Sequence, residues 1–281
     1  VLALPEPYAA HLPPLLAAAF AEDLPDLTGT AVFAAHDRTT AFLVAKQDGV
    51  LCGMPAFAAA FTFLDAECAV GMARRDGETV KTGETVARVT GSTRAILAAE
   101  RTALNFATRL SGIATLTRRF VDAVAGTSCR ILDTRKTTPG WRVIEKHAVR
   151  CGGGTNHRMG LFDAAMLKDT HLAAAGSLPA AVEKVRETWG EQTPLVVECR
   201  TVAMVEEALA LHVGHIMLDN MDLATVRAAV AVAAGRARLE VSGRVTLERV
   251  RALAETGVDF ISVGALTHSA PAFDLSLQVR P

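Results

Sequence analysis

CRILDTRKTTPGWRVIEKHAVRCGGGTNHRMGLFDAAMLKDTH, residues 129–171, carries eight Lys or Arg against four carboxylates, a formal +4 in a chain of net charge −1, so the remaining residues sum to −5. A local positive field in an acidic surround suits a small anionic ligand. A solvated face of mixed charge is the plainer account of such a run, but the placement argues against it. Arg135 and Lys136 follow the apolar pair Ile131-Leu132, His157 and Arg158 follow Gly152-Gly153-Gly154, and Lys168 closes the apolar run 164–167 (AAML). Each basic group therefore stands where a buried strand would turn, and such groups at the ends of successive core strands converge on one rim.

Downstream of that stretch the pattern becomes regular. Apolar, β-rich runs at 194–199 (PLVVEC), 214–219 (GHIMLD), 238–242 (RLEVS) and 258–263 (VDFISV) alternate with helical segments near 179–189, 201–212, 221–234 and 246–256. This alternation predicts parallel β/α units. A polar residue or glycine stands near the C-terminal end of each strand: Glu198, Asp219, Ser242-Gly243 and Gly264. That end is the active-site mouth of a β/α barrel, so four strands deliver their last residues to one cavity. With strands expected near 130 and 164 the count reaches about six, short of the eight of a closed barrel. The fold class expected is α/β, an open or incomplete β/α barrel with a smaller N-terminal domain.

Upstream, residues 15–22 (LLAAAFAE) predict a short helix ending before Asp23 and Pro25, and the TGT that follows leads into extended chain. β-rich stretches at 40–45, 67–73 and 85–90, with a helical run at 55–64, predict an α+β arrangement for the N-terminal domain. GETV occurs twice there, at 77–80 and 83–86, around Lys81. Carrier domains for lipoate or biotin present such a lysine on a hairpin, but two short strands joined by a Lys-Thr-Gly turn account for the pattern with nothing further. From Ser92 to Ala125 the period is helical and is interrupted at Ser111-Gly112, which predicts two helices meeting there. Arg101 lies in the first, and by spacing alone it reads as a solvated arginine or an ion-pair partner.

Length and composition bound the function. A chain of 281 residues, half of them hydrophobic, buries a large core in one large domain or two unequal ones. The five cysteines (Cys52, Cys68, Cys129, Cys151, Cys199) are odd in number and show no CxxC or Cys/His ligand spacing, so they read as free thiols of a reducing, cytoplasmic protein. The apolar N-terminus is broken by Pro5, Pro7, Pro13 and Pro14, and neither a signal peptide nor a membrane span is expected. One Tyr, two Trp and a pI near 6.8 leave no basic stripe with aromatic platforms, so no nucleic-acid partner is expected.

Four strings carry a family resemblance: ERTALNFATRLSGIATLT at 100–117, LDTRKTTPGWR at 132–142, GGGTNHRMGLFDAAMLKDTH at 152–171 and SVGALTHSAPAFDLSL at 262–277. On these the chain resembles quinolinate phosphoribosyltransferase, the decarboxylating nicotinate-nucleotide pyrophosphorylase. The family usually has Gly-Asp where this chain has Pro25-Asp26, Asn where it has Thr170, and Gly where it has Arg244. The resemblance implies a domain over residues 1–104 joined by the C-terminal segment 271–281, with the barrel over 105–270. It also implies a homodimer with composite sites, in which Arg101 reaches substrate in the neighbouring subunit; assembly beyond the dimer is left open.

The implied reaction joins quinolinate to phosphoribosyl pyrophosphate, giving nicotinate mononucleotide, pyrophosphate and CO2. Guanidinium forks suit the two ring carboxylates of quinolinate, so Arg101, Arg135, His157, Arg158 and Lys168 are assigned to it. The resemblance assigns Lys136 to the pyrophosphate side. Glu198 and Asp219 would repel an anionic substrate unless a cation or hydroxyls intervened, which fits Mg2+ with pyrophosphate or the ribose hydroxyls; as counter-ions they would instead hold Lys136 and Lys168 in place. Lys136, Glu198 and Asp219 are the residues assigned to catalysis. Ser242-Gly243 and Gly264 offer backbone N–H groups to the 5-phosphate, although Ser-Gly after a strand is by itself an ordinary turn. His171 reads as structural support. Two other readings compete: a relative found beside molybdate-transport genes, which the Lys and His of LKDTH (167–171) disfavour, and a generic phosphate-binding barrel, which does not explain so many cations.

Overall fold

The computed structural model describes residues 6–279; residues 1–5 and 280–281, which the expected 1–104 and 271–281 segments include, lie outside it. Along the chain run α1 (Tyr8–Asp23), α2 (Leu27–Val32), β1 (Arg38–Ala45), β2 (Gly49–Val50), α3 (Met54–Leu64), β3 (Ala69–Met72), β4 (Thr79–Val80), β5 (Thr85–Ser92) and α4 (Thr93–Ala123). Then follow β6 (Arg130–Leu132), α5 (Arg142–Cys151), β7 (Ala165–Leu167), α6 (Asp169–Ala175), α7 (Leu178–Trp189), β8 (Leu195–Cys199) and α8 (Val202–Ala210). The chain closes with β9 (His215–Asp219), α9 (Leu223–Ala233), β10 (Arg238–Ser242), α10 (Leu247–Ala254), β11 (Phe260–Ser262), α11 (Ala265–His268) and β12 (Leu275–Val279). It divides into two compact units, one of residues 1–118, 137–153 and 266–281, the other of 119–136 and 154–265, so the chain crosses between them at four places.

The first unit holds an antiparallel sheet in the order β12-β1-β5-β3, with the C-terminal strand β12 paired to β1. The two GETV copies do not pair with each other: β4 pairs with β2, and β5 pairs with β1. Between the copies Lys81 Nζ lies 2.8 Å from Asp48 Oδ2 and the Thr82 N–H donates to Asp48 Oδ1 at 2.9 Å, which makes Lys81 a turn residue. Residues 27–32, which include the TGT expected to lead into extended chain, form the short helix α2 because Asp26 caps it, its Oδ1 accepting the Gly29 N–H at 2.9 Å.

α4 is a single helix of 31 residues, not two. Ser111 and Gly112, which suggested a break, serve packing instead. The Ser111 hydroxyl takes the Cys52 N–H and donates to the Cys52 carbonyl, and a Cβ on Gly112 would lie 2.1 Å from the Pro271 carbonyl oxygen. A helix tolerates one glycine where another backbone must approach this closely.

The second unit holds a six-stranded parallel sheet in the order β6-β11-β10-β9-β8-β7, the six strands the sequence predicts. An isolated parallel bridge from Leu132 to Thr155 adds the Thr155 segment beside β6, and β7 ends the other edge, so the barrel is open between them. Side chains alternate across the sheet. Val197, Cys199, Ile216, Leu218, Leu239, Val241 and Ile261 are at most 3% exposed, and burying each is worth roughly 1.5–3 kcal/mol for the larger aliphatics. The opposite parity puts Glu198, Met217, Asp219, Glu240, Ser242 and Ser262 on one face, with Glu240 beside both Met217 and Phe260 and Ser242 beside Asp219. Side-chain caps restart the helices after the strands: Ser177 for α7, Thr201 for α8 and Asp222 for α9.

Candidate active site

Polar residues at the C-terminal ends of β7, β8, β9 and β10 form one rim. Lys168, which follows β7, places its Nζ 2.8 Å from Glu198 Oε2, and the Glu198 side chain is only 8% exposed. A nearly buried carboxylate beside a part-exposed ammonium is a stable pair, because removing either partner strands the other. Arg200, which the sequence reading passed over, stands 3.6 Å from Asp219 Oδ2, 4.0 Å from Glu198 Oε1 and 2.8 Å from Asp169 Oδ2. The rim thus interleaves Lys168 and Arg200 with Glu198 and Asp219.

Beside it, Ser242 is the strand neighbour of Asp219, and its carbonyl accepts the Asn220 N–H at 2.9 Å. Gly243 has φ +99°, and a Cβ there would lie 2.3 Å from Asn220 Oδ1, so only glycine fits the turn that leaves β10. The next residue, Arg244, also has positive φ, +49°, which explains the glycine the family resemblance leads one to expect there. Gly264 follows β11, whose end is tied to β6 by the Val263 N–H donating to the Leu132 carbonyl at 2.9 Å.

A second group lies along the open seam. Asp133, fully buried after β6, accepts the His157 N–H at 2.8 Å and the Asn156 side-chain amide at 2.5 Å, which fixes the backbone that presents His157 and Arg158. Arg158 donates from Nη1 to the Ala164 carbonyl at 2.8 Å and sits beside Met166 Sδ. Its pKa is lowered from the usual guanidinium range by burial and then by the neighbouring Arg135 guanidinium, with Asp163 acting against both. Lys136 is exposed, its N–H donating to Thr134 Oγ1 at 3.1 Å.

The His157 ring points toward Glu240 in the middle of β10. His157 Nε2 lies 3.2 Å and His215 Nε2 2.9 Å from Glu240 Oε2, while the Ser262 hydroxyl donates to Oε1. Burial pushes the Glu240 carboxyl up, but the adjacent His157 and His215 imidazoles prevail and hold it at about 2. Sequence reasoning missed Glu240 and His215 as well as Arg200; the only signal was their parity, which they share with Ser242 and Asp219. A cavity of about 490 Å³ opens beside His157 and Arg158 and reaches the N-terminal ends of β8, β9 and β10 at Leu195, His215 and Arg238, away from the Lys168–Glu198 rim. Arg101 lies in the first unit, exposed on α4.

Two family models match this chain: the N-terminal domain of quinolinate phosphoribosyl transferase over residues 26–111 and its C-terminal domain over residues 113–278. A probable nicotinate-nucleotide pyrophosphorylase [carboxylating] of Bacillus subtilis is 41% identical over 262 residues, covering 92% of this chain and 90% of the relative. The chloroplastic nicotinate-nucleotide pyrophosphorylase of Arabidopsis thaliana is 42% identical over 272 residues, covering 90% and 78%. Among solved structures, NadC from Streptococcus pyogenes superposes with a TM-score of 0.91 at 40% identity over 95% of this chain and 96% of that one. The nicotinate-nucleotide pyrophosphorylase from Francisella tularensis does so with 0.92 at 38% identity over 96% of each.

Proposed function

This chain belongs to the quinolinate phosphoribosyltransferase family, and from that premise we propose which of its residues carry each half of the reaction. The reaction is the decarboxylating transfer of phosphoribosyl from its pyrophosphate to quinolinate, a step of NAD biosynthesis. The observation that supports the assignment best is that Asp133 fixes the backbone presenting His157 and Arg158 at the open seam, where a guanidinium fork suits a planar dicarboxylate. Lys168 and Arg101 complete the cationic shell. His157 is held by Asp133 and Glu240, so it acts by positioning the Arg158 backbone and closing the pocket floor.

On the other side, Lys136 meets the pyrophosphate, Ser242, Gly243 and Gly264 meet the 5-phosphate with backbone N–H groups, and Glu198 and Asp219 meet the ribose hydroxyls. Glu198 and Asp219 form an all-oxygen donor pair on one sheet face, the set a hard cation takes, so they are the residues that would hold Mg2+. Bound there with pyrophosphate, the ion would neutralise charge on the leaving group. Lys168 and Arg200 already offset both carboxylates, which keeps the rim receptive to anions.

With both substrates held, the pyridine nitrogen attacks the anomeric carbon as pyrophosphate departs, through a state with positive charge on the ribose. Positioning and electrostatics supply the catalysis, and no side-chain nucleophile is needed. The quaternised nitrogen then stabilises the electron pair left on the adjacent ring carbon as its carboxylate departs as CO2, that carbon takes a proton from water, and the other carboxylate is retained. The sites are composite in a homodimer, Arg101 serving the partner's pocket. The five cysteines are free thiols, as a reducing, cytoplasmic setting keeps them. The decisive assay is pyrophosphate release with quinolinate against nicotinate. Nicotinate leaves a guanidinium unpaired and should lose roughly 10²-fold or more in kcat/KM, following a cost of about 3 kcal/mol for an unsatisfied charged group. Equal efficiency with nicotinate would overturn the dicarboxylate assignment.

A further inference from the structure

The first unit contains a group of potential ligands that the phosphoribosyl reaction does not use. Cys52 Sγ, Asp76, His147 and Cys151 Sγ offer ligand atoms that all lie within 4.8 Å of one another. They come from separate places in the chain. Cys52 lies between β2 and α3, Asp76 in the turn between β3 and β4, and His147 and Cys151 one helical turn apart on α5, where i and i+4 share a face. That last spacing, His-x-x-x-Cys, is a Cys/His ligand spacing and corrects the reading that the cysteines have none; it does not stand out in the sequence because the other ligands lie 71 or more residues upstream.

We propose that Cys52, Asp76, His147 and Cys151 form a four-ligand structural site for zinc(II). With metal–ligand bonds of about 2.0–2.3 Å, the edges of a zinc tetrahedron are about 3.3–3.8 Å. The separations here are 3.2 Å from His147 Nε2 to Asp76 Oδ2, 3.4 Å from Cys151 Sγ to His147 Nε2 and 3.6 Å from Cys52 Sγ to Asp76 Oδ2. Two sulfurs with an imidazole suit zinc and are wrong for magnesium or calcium, which take oxygen. The supports that orient first ligands are also in place. Asp76 Oδ1 accepts the Met54 N–H at 2.8 Å, the Tyr8 hydroxyl donates to Oδ2 at 2.8 Å, and the Cys52 backbone is clasped by Ser111. Metal at Nε2 leaves the proton on His147 Nδ1, so the exposed Arg150 contact at 3.4 Å from that nitrogen opens on binding. With four protein ligands the site is closed to substrate, and its effect is to tie α5 to the turns at Cys52 and Asp76.

The test is made on the full chain, purified under reducing conditions without a chelator. One zinc per chain by mass spectrometry is expected, with Cys151→Ser and His147→Gln each binding zinc at least about tenfold more weakly. Both variants should keep quinolinate-dependent activity, since neither residue is assigned to the reaction. Titration of metal-free wild-type chain with cobalt(II) should give the intense visible bands of a four-coordinate site and sulfur-to-cobalt charge transfer, and this decides the matter if either variant fails to fold. Wild-type chain that binds neither metal, or whose zinc is unchanged in folded Cys151→Ser, overturns the site. So does a Cys52–Cys151 disulfide whose reduced form takes up no metal.

Discussion

Arg244 shows how one residue can carry both a conformational cost and a possible gain in charge. Its φ of +49° puts a long, charged side chain in the left-handed region, directly after Gly243 at +99°. That conformation costs a non-glycine residue roughly 1–2 kcal/mol, against which a glycine's looser unfolded chain costs about 0.4–1. Arg244→Gly is therefore expected to raise stability by about 0.5–1 kcal/mol, a Tm increase of about 1–4 °C in a thermal melt. An unchanged or lower Tm would mean that the arginine is compensated locally. Legibility at this scale followed position along the strands. Lys168, Glu198, Asp219 and Ser242 stood out because each ends an apolar run. Glu240 did not, since a charged residue between Leu239 and Val241 reads as the solvent face of an alternating strand until sheet closure makes that face the interior.

At the level of elements, α4 and β10 each illustrate packing that overrides local preference. Alanine is the better helix former, yet Gly112→Ala would drive a Cβ to 2.1 Å from the Pro271 carbonyl. The overpacking should destabilise the protein by about 1–3 kcal/mol, read as a lower midpoint in urea with an unchanged slope. The centre of β10 couples three strands through Glu240, His215 and Ser262, with His157 joining from the seam. Because the Glu240 pKa is depressed to about 2, its contribution is fully present above the ordinary glutamate value near 4.3 and is lost as pH falls from there through about 2. Glu240→Gln should accordingly lower the Tm at neutral pH, and the difference from wild type should shrink between pH 4.3 and 2. A difference independent of pH in that window would show that the charge is not what the network uses. The four β/α units were readable from alternation, whereas the continuity of α4 was not, because a Ser-Gly pair looks the same whether it breaks a helix or admits a neighbouring backbone.

At the scale of the whole molecule, the proposed composite site makes a prediction about pairs of chains. Arg101→Ala and Lys136→Ala, each inactive alone, should regain activity on co-expression, because a mixed dimer has one doubly damaged site and one with neither defect. Random pairing makes half the dimers mixed, so about a quarter of wild-type activity is expected from two-fold symmetry. A purified mixture shown to contain mixed dimers yet inactive would place Arg101 in its own subunit's site. The sequence by itself determined the kinds of element and their order, the six parallel strands and the open barrel, and the basic residues that end strands, because hydrophobic period and turn chemistry are local. Only the tertiary structure decided which strand face became the interior, that Asp133 holds the backbone of His157, and that Cys52, Asp76, His147 and Cys151 meet. Those are distances between residues far apart in the chain, and closure of the sheets and packing of α4 and α5 set them.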